Sequence, residues 1–166
     1  DPSKETPNLQ FHVQPISTDI LGASKLHDFD GITPTVANIR PSSRGEISIV
    51  SNDSRVNPKI KMNYLSTQDD RIVAAQGLKL VRKIMLESKT FKKYEPEEYR
   101  PGVHITDDEE LVRAGSEFTQ TIFHPVGTCK MGKDDNAVVN DKLYAHGLKN
   151  LRVIDASIMP NITSGN

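Results

Sequence analysis

The spacing of apolar residues changes once along the chain, and this change sets the fold class. Near the N-terminus Leu9, Phe11 and Val13 alternate with polar residues, which is the period-two pattern of a strand with one buried face. Between residues 73 and 85 the apolar residues recur every three or four positions, which predicts an amphipathic helix. A strand pattern followed by a helix pattern predicts an α+β fold.

Three further β-prone runs follow the first strand, at residues 35–39, 46–50 and 59–64. The segment 40–45 contains proline and glycine, which favour a turn between the first two runs. The sequence therefore predicts antiparallel strands that join in one mixed sheet, backed by helices.

Two helices are expected after these strands. A serine and a threonine at residues 66–67 are candidate N-caps for the first helix. Thr106 and Glu109 have the spacing of a capping box, which predicts the start of a second helix. Its apolar stripe continues toward Pro125, so His124 is predicted to lie where this helix ends and a loop begins.

The charge pattern limits the partners of the chain. Its 21 basic and 22 acidic residues are mixed along the sequence and give a formal charge of −1. A nucleic-acid partner is not expected, because a basic stripe for phosphate groups is missing. The apolar runs are a few residues long, whereas a spanning helix needs about 20, so no transmembrane segment is expected in this piece.

Cys129 is the only cysteine, so the chain has no internal disulfide and does not resemble a secreted disulfide framework. A reducing compartment fits best, and we expect the cytoplasm or the periphery of the inner membrane. Three histidines without an assigned role lack the spacing of zinc ligands, so no metal site is expected. These are His27, His104 and His146.

The segment HPVGTCKMG at residues 124–132 is the candidate catalytic loop. Pro125 breaks regular structure after the histidine, while Gly127 and Gly132 allow close backbone approach. Histidine titrates near neutral pH and suits general base catalysis. Taken alone, a His-Pro pair is also a common structural terminator, and the residues themselves leave both interpretations open.

Five sequence blocks follow one another between residues 124 and 166. They are HPVGTCKMG (124–132), AVVN (137–140), LYAHG (143–147), LRVIDASIMP (151–160) and SGN (164–166). This order resembles the C-terminal signature of the glucose-methanol-choline (GMC) oxidoreductases, flavoenzymes that oxidise alcohols. Upstream, QFHVQP (10–15), RPSSRG (40–45) and NYLS (63–66) look like substrate-domain landmarks, in particular those of bacterial choline-dehydrogenase-like alcohol dehydrogenases.

The resemblance implies FAD-dependent oxidation of a primary alcohol to the aldehyde. His124 would be the base that takes the hydroxyl proton while hydride leaves for flavin N5. Asn166 matches a position that often holds a second histidine and would bind the substrate oxygen. Asp155 and Ala156 match a segment whose backbone lies along the FAD. His12 lies on a strand that contributes to the substrate cavity in related enzymes, and a solvated strand histidine is the alternative.

The resemblance also implies how the chain is divided. Residues 1–122 would be part of the substrate-binding domain, and residues 123–166 would carry the catalytic loop and the C-terminal segment of the FAD-binding domain. The glycine fingerprint GxGxxG is absent, so we expect a piece of a longer enzyme, truncated at both ends, that does not bind FAD alone.

The sequence leaves two partners of the reaction open. The alcohol is choline or another, and the electron acceptor is a quinone, oxygen or another carrier. A lyase or a catalytically silent binding module that uses flavin only structurally is the alternative function.

Overall fold

The computed structural model describes residues 5–20, 22 and 24–165, and it confirms the α+β class. Antiparallel strands occupy the first third of the chain, and helices follow them. The elements in chain order are strands β1 (Leu9–Gln14), β2 (Thr33–Asn38), β3 (Glu46–Ser48) and β4 (Lys59–Lys61), helix α1 (Gln68–Arg82), a π-helical turn (Lys83–Glu87), helices α2 (Lys89–Lys92) and α3 (Asp108–Ser116), and a 3-10 helix (Ala156–Ile158).

The chain folds into two compact units. The first unit comprises Asp1–Ser42 and Leu65–Gln120. The second unit comprises Ser43–Tyr64 and Thr121–Asn166. Each unit therefore draws on two separate stretches of sequence, and each is described by itself below.

The predicted strands form, but the predicted single sheet is wrong. β1 pairs with β2 and β3 pairs with β4, giving two separate antiparallel sheets of two strands each within the described residues. The reason lies just after β2, where the buried Asp70 of α1 accepts hydrogen bonds from the Ser42 backbone N–H at 2.9 Å and from Asn38 Nδ2 at 3.3 Å. These bonds direct the chain toward the start of α1 instead of back along β2.

The apolar face of strand β1 was predicted to be buried, but only its first part is covered. On one face α1 approaches closely at Gly77, where an added Cβ would lie 2.9 Å from Val36 and 3.6 Å from Leu9. Farther along the same face Phe11 and Val13 are 39% and 61% exposed. The opposite face, which carries His12, is half-buried.

Helix α1 begins at one of its two predicted caps, but its fully buried residues, such as Ala75, lie beside the predicted apolar stripe, and Leu80 and Ile84 of that stripe are each 40% exposed. The side chain of Thr67 accepts a hydrogen bond from the Asp70 backbone N–H at 3.3 Å, which identifies the threonine as the N-cap. Ala75 of α1 and Leu111 of α3 are fully buried and form the core of the first unit. An ion pair between Lys79 and Asp108 also joins the two helices.

Helix α3 differs from its prediction at both ends. Its N-cap is Asp107, which accepts from the Glu110 backbone N–H at 2.9 Å, so the capping position is one residue later than the expected Thr106. The helix ends at Ser116 and does not reach Pro125. Its last carbonyl groups are satisfied locally, since Thr119 Oγ1 donates to the Gly115 carbonyl at 2.9 Å.

The second unit has a small core and little regular structure. Val139 is fully buried and Ala145 is 8% exposed. Gly45 lies so close to β4 that an added Cβ would collide with the Lys61 carbonyl oxygen. Most of the order in residues 125–159 comes from backbone hydrogen bonds between irregular segments. No helix in the described part of the chain is long and apolar enough to cross a membrane.

Candidate active site

His124 lies in an irregular segment of the second unit, so its predicted position at the end of a helix is wrong. The preceding Phe123 has a positive φ of 62° and is 85% exposed. Its backbone N–H donates to Thr121 Oγ1 at 3.0 Å. A non-glycine residue in this conformation costs about 1–3 kcal/mol and persists only where its surroundings hold it. The segment that presents His124 is therefore held in an unusual conformation.

The imidazole of His124 contains an unsatisfied polar atom. The side chain is half-buried, and Nδ1 is buried without a hydrogen-bond partner among the described residues. A buried nitrogen of this kind costs about 1–3 kcal/mol, so proteins rarely leave one without a functional reason. Within the part of the chain that the structure describes, Nδ1 thus lacks the partner that a purely structural histidine would have.

The loop after His124 is fixed to the turn that contains the 3-10 helix. The backbone N–H groups of Gly127 and Cys129 both donate to the Ser157 carbonyl oxygen, at 3.1 and 3.0 Å. The Met131 N–H donates to the Ile158 carbonyl at 2.8 Å. Gly127 has a φ of +93°, which the chain tolerates because the residue is glycine. Three backbone bonds therefore hold this edge of the catalytic loop.

The other edge of the loop is held by residues 138–146. The Gly132 N–H donates to the Val139 carbonyl at 3.0 Å, and the Val138 N–H donates to the Lys130 carbonyl at 2.9 Å. His146 adds a side-chain contact, with its Nε2 3.1 Å from the Gly132 carbonyl oxygen. Nothing in the sequence indicated this contact of His146, because the spacing of the residue does not show that it reaches Gly132.

Asp155 and Ala156 lie at the surface of the second unit, at the start of the 3-10 helix. The Asp155 carboxylate caps this helix, accepting from the Ser157 backbone N–H at 2.8 Å. Hydrogen bonds from Ser157 hold the pKa of Asp155 below its usual value. Residues 151–154 before Asp155 are β-prone in sequence but form no strand, and Arg152 makes only an isolated bridge with Tyr144.

The remaining predicted site residues are placed as follows. His12 lies on β1 in the first unit, opposite Thr35, with its Nε2 3.2 Å from Gln10 Nε2. It is half-buried, and its role in a substrate cavity stays a prediction. Asn166 lies outside the described residues.

An apolar cavity in the second unit was missed by the sequence reasoning. It has a volume of about 390 Å³. The lining includes Phe123 and Pro125, which flank His124 in sequence. Their position next to the candidate base was the one feature of the sequence that pointed to this cavity. The lining residues are Met62, Tyr64, Thr121, Phe123 and Pro125.

Two polar clusters away from His124, around His27 and Lys130, are held by contacts with neighbouring side chains. His27 contacts Ser17 Oγ at 2.9 Å and Asp19 at 3.4 Å and stacks on Phe29. Lys130 pairs with Asp134 on the surface, at 2.8 Å. Within the described ranges, three or more side chains of metal-ligand type do not cluster anywhere.

Comparison with known proteins relates this arrangement to one family. The sequence is 41% identical over 160 residues to an oxygen-dependent choline dehydrogenase of Proteus mirabilis, covering 96% of this chain and 28% of that protein. It is 40% identical to an alcohol dehydrogenase [acceptor] of Pseudomonas putida, covering 99% of this chain and 30% of that protein. Among solved structures, a formate oxidase of Aspergillus oryzae, studied for FAD modification, matches with a TM-score of 0.74 and 32% identity over 84% of this chain and 25% of that one.

The chain spans less than a third of the length of these proteins. The family model for GMC oxidoreductases matches residues 41–166, which include the whole catalytic loop and the Asp155 turn. The chain therefore belongs to the GMC oxidoreductase family.

Proposed function

We propose that the complete enzyme oxidises a primary alcohol, choline or another, to the aldehyde, with FAD as the cofactor that takes the hydride and with a quinone, oxygen or another carrier as the electron acceptor. The observation that carries this proposal is the buried Nδ1 of His124, which has no hydrogen-bond partner within residues 5–165 as described, beside a loop whose backbone is held on both edges. The names of two relatives, a choline dehydrogenase and an alcohol dehydrogenase, support alcohols as the substrate class.

His124 is the proposed base. A neutral imidazole has one nitrogen that donates and one that accepts a hydrogen bond. Because Nδ1 has no partner among the described residues, no described group commits the ring to one tautomer. The ring is therefore able to take the hydroxyl proton of an alcohol, which raises the electron density at the carbinol carbon. Asn166 is proposed to bind the same oxygen and to stabilise the developing alkoxide.

The second unit fits an FAD partner. Nδ1 of His124 has room for a polar partner, and Asp155 and Ala156 are exposed residues that a large ligand is able to reach. The turn carrying these two residues is hydrogen-bonded to the His124 loop, so a cofactor contact and the base belong to one connected structure. When bound, FAD supplies the acceptor for the hydride that leaves the carbinol carbon.

The other parts of the assignment follow the family pattern. His12 is proposed to line the substrate cavity, and residues 1–122 and 123–166 are proposed to belong to the substrate-binding and FAD-binding domains of the complete enzyme. We also propose that the enzyme works in the cytoplasm or at the periphery of the inner membrane.

A flavin-reduction experiment tests the proposal. The complete enzyme is mixed anaerobically with a panel of primary alcohols that includes choline, and flavin absorbance is followed. We expect one alcohol to bleach the flavin. His124→Ala should slow this reduction about 10²- to 10⁴-fold, the contribution of a positioned base.

His104→Ala is the matched control, because His104 is an exposed histidine of the first unit. Its reduction rate should equal that of the unmodified enzyme. A bound flavin that no alcohol reduces would favour a lyase or a silent binding module. An unchanged rate in His124→Ala would refute the assignment of the base.

A further inference from the structure

The carboxylate of Asp155 points back into its own turn. Its Oδ1 accepts the Ser157 backbone N–H at 2.8 Å, in the geometry of an N-cap. Asp155 is exposed and packs into no core, so its structural role in the turn is this hydrogen bond. Without the carboxylate, Ser157 would lose the acceptor that fixes its orientation.

The orientation of Ser157 matters because its carbonyl oxygen is a shared acceptor. Gly127 and Cys129 both donate to it, and Met131 donates to the next carbonyl along the turn, that of Ile158. Gly127 follows His124 by three residues, and Pro125 between them restricts backbone rotation. A shift of the turn would therefore move the backbone that positions the imidazole.

We propose that the Asp155 side chain is a positioning group for His124, acting through Ser157 and the backbone of residues 127–131. This inference rests on the proposed function of His124 and extends it to a residue that the family pattern places beside the cofactor. In this role the hydrogen-bond acceptor carries the effect, and the exposed, solvent-screened charge adds little. Asparagine keeps the acceptor and alanine removes it.

The test compares Asp155→Ala and Asp155→Asn in the complete enzyme loaded with FAD. Hydrogen exchange of a peptide spanning residues 126–131 reports the order of the loop, and anaerobic flavin reduction reports the base. Asp155→Ala should speed exchange and slow reduction, each by about 2- to 30-fold, the range expected when a capping side chain is lost. Its KM should change by less than roughly twofold, because Asp155 is proposed not to touch the alcohol.

Asp155→Asn should restore both slow exchange and fast reduction. Asp135→Ala is the matched control, since Asp135 is an exposed aspartate of the same unit, and neither readout should change. If Asp155→Asn is as impaired as Asp155→Ala, the charge is required and the inference is wrong. Unaltered exchange in Asp155→Ala would also overturn it. If no alcohol reduces the flavin, the proposed function fails, while the exchange measurement still decides the coupling between turn and loop.

Discussion

Side chains hold the first unit together, whereas backbone hydrogen bonds hold most of the second. In the first unit Ala75 and Leu111 are fully buried between α1 and α3. In the second unit Val139 is the one large side chain with no exposed surface among the described residues, and irregular segments are linked through their backbones. The first arrangement stabilises a scaffold, and the second holds a loop in place while its side chains stay available for chemistry.

The largest stability effect is expected at the Arg82–Glu98 pair of the first unit. The two side chains are 17% and 10% exposed and form two hydrogen bonds, at 2.7 and 2.9 Å. Arg82 also donates to the carbonyl groups of Gly102 and Ile105. Arg82→Met should destabilise the complete enzyme by about 3–5 kcal/mol, because it leaves a buried carboxylate without its partner. The midpoint of denaturant unfolding measures this change.

Arg113→Met is the matched control, since Arg113 and Glu110 form an exposed pair with side chains 76% and 57% accessible. Such a pair contributes about 0–1 kcal/mol. The double variant Arg82→Met/Glu98→Met should recover part of the loss. A loss in Arg82→Met no larger than in the control would show that polar side-chain contacts do not stabilise the first unit.

A slightly smaller effect is expected from the core of the first unit. Leu111→Ala removes a fully buried side chain and should cost about 2–5 kcal/mol, through lost burial and the cavity that remains. Leu148→Ala, at a residue 60% exposed in the second unit, is the control and should change the unfolding midpoint little. Equal losses in both variants would contradict the contrast between the units.

The same contrast explains what the sequence could predict. Helix α1 was predicted with Ser66 or Thr67 as its cap, and the structure selects Thr67, because apolar period and capping residues are local signals. The predicted pairing of β2 with β3 across the 40–45 turn is wrong, since Asp70 redirects the chain after β2 through contacts that no local pattern records, and β2 pairs with β1 instead. His124 was found as a candidate from its sequence block, although the helix expected before it ends at Ser116.

The backbone bonds from residues 127–131 to the turn at 157–158 form a backbone clamp on the candidate catalytic loop, and no sequence pattern predicts them. Its donors and acceptors are backbone groups of Gly127, Cys129 and Ser157, which every residue type except proline provides alike. The hydrophobic period and the side-chain chemistry of the sequence therefore do not show which segments these backbone hydrogen bonds join. The burial of Nδ1 of His124 without a partner among the described residues was likewise not predictable, because burial of one atom depends on tertiary contacts.

The smallest effect is an acid sensitivity of the second unit. The ion pair with Lys130 lowers the pKa of Asp134, hydrogen bonds from Ser157 lower that of Asp155, and Arg55 lowers that of Asp53, each from a usual value of 3.8. A carboxyl whose folded pKa is lowered stabilises the fold above its unfolded pKa and loses this contribution as pH falls through the folded value. The second unit should therefore lose stability below about pH 4, and only modestly, because all three groups are exposed and screened by solvent.

The triple variant Asp53→Asn/Asp134→Asn/Asp155→Asn should remove this dependence. Hydrogen exchange of residues 126–139 in the complete enzyme, compared between about pH 5 and pH 3 after correction for the intrinsic exchange rate, measures it locally. The double variant Asp135→Asn/Asp141→Asn, at two exposed positions of the same unit, is the control and should behave like the unmodified enzyme. If the triple variant loosens with acid as much as the unmodified enzyme does, these surface hydrogen bonds contribute nothing. The order of the catalytic loop would then depend on its backbone clamp alone.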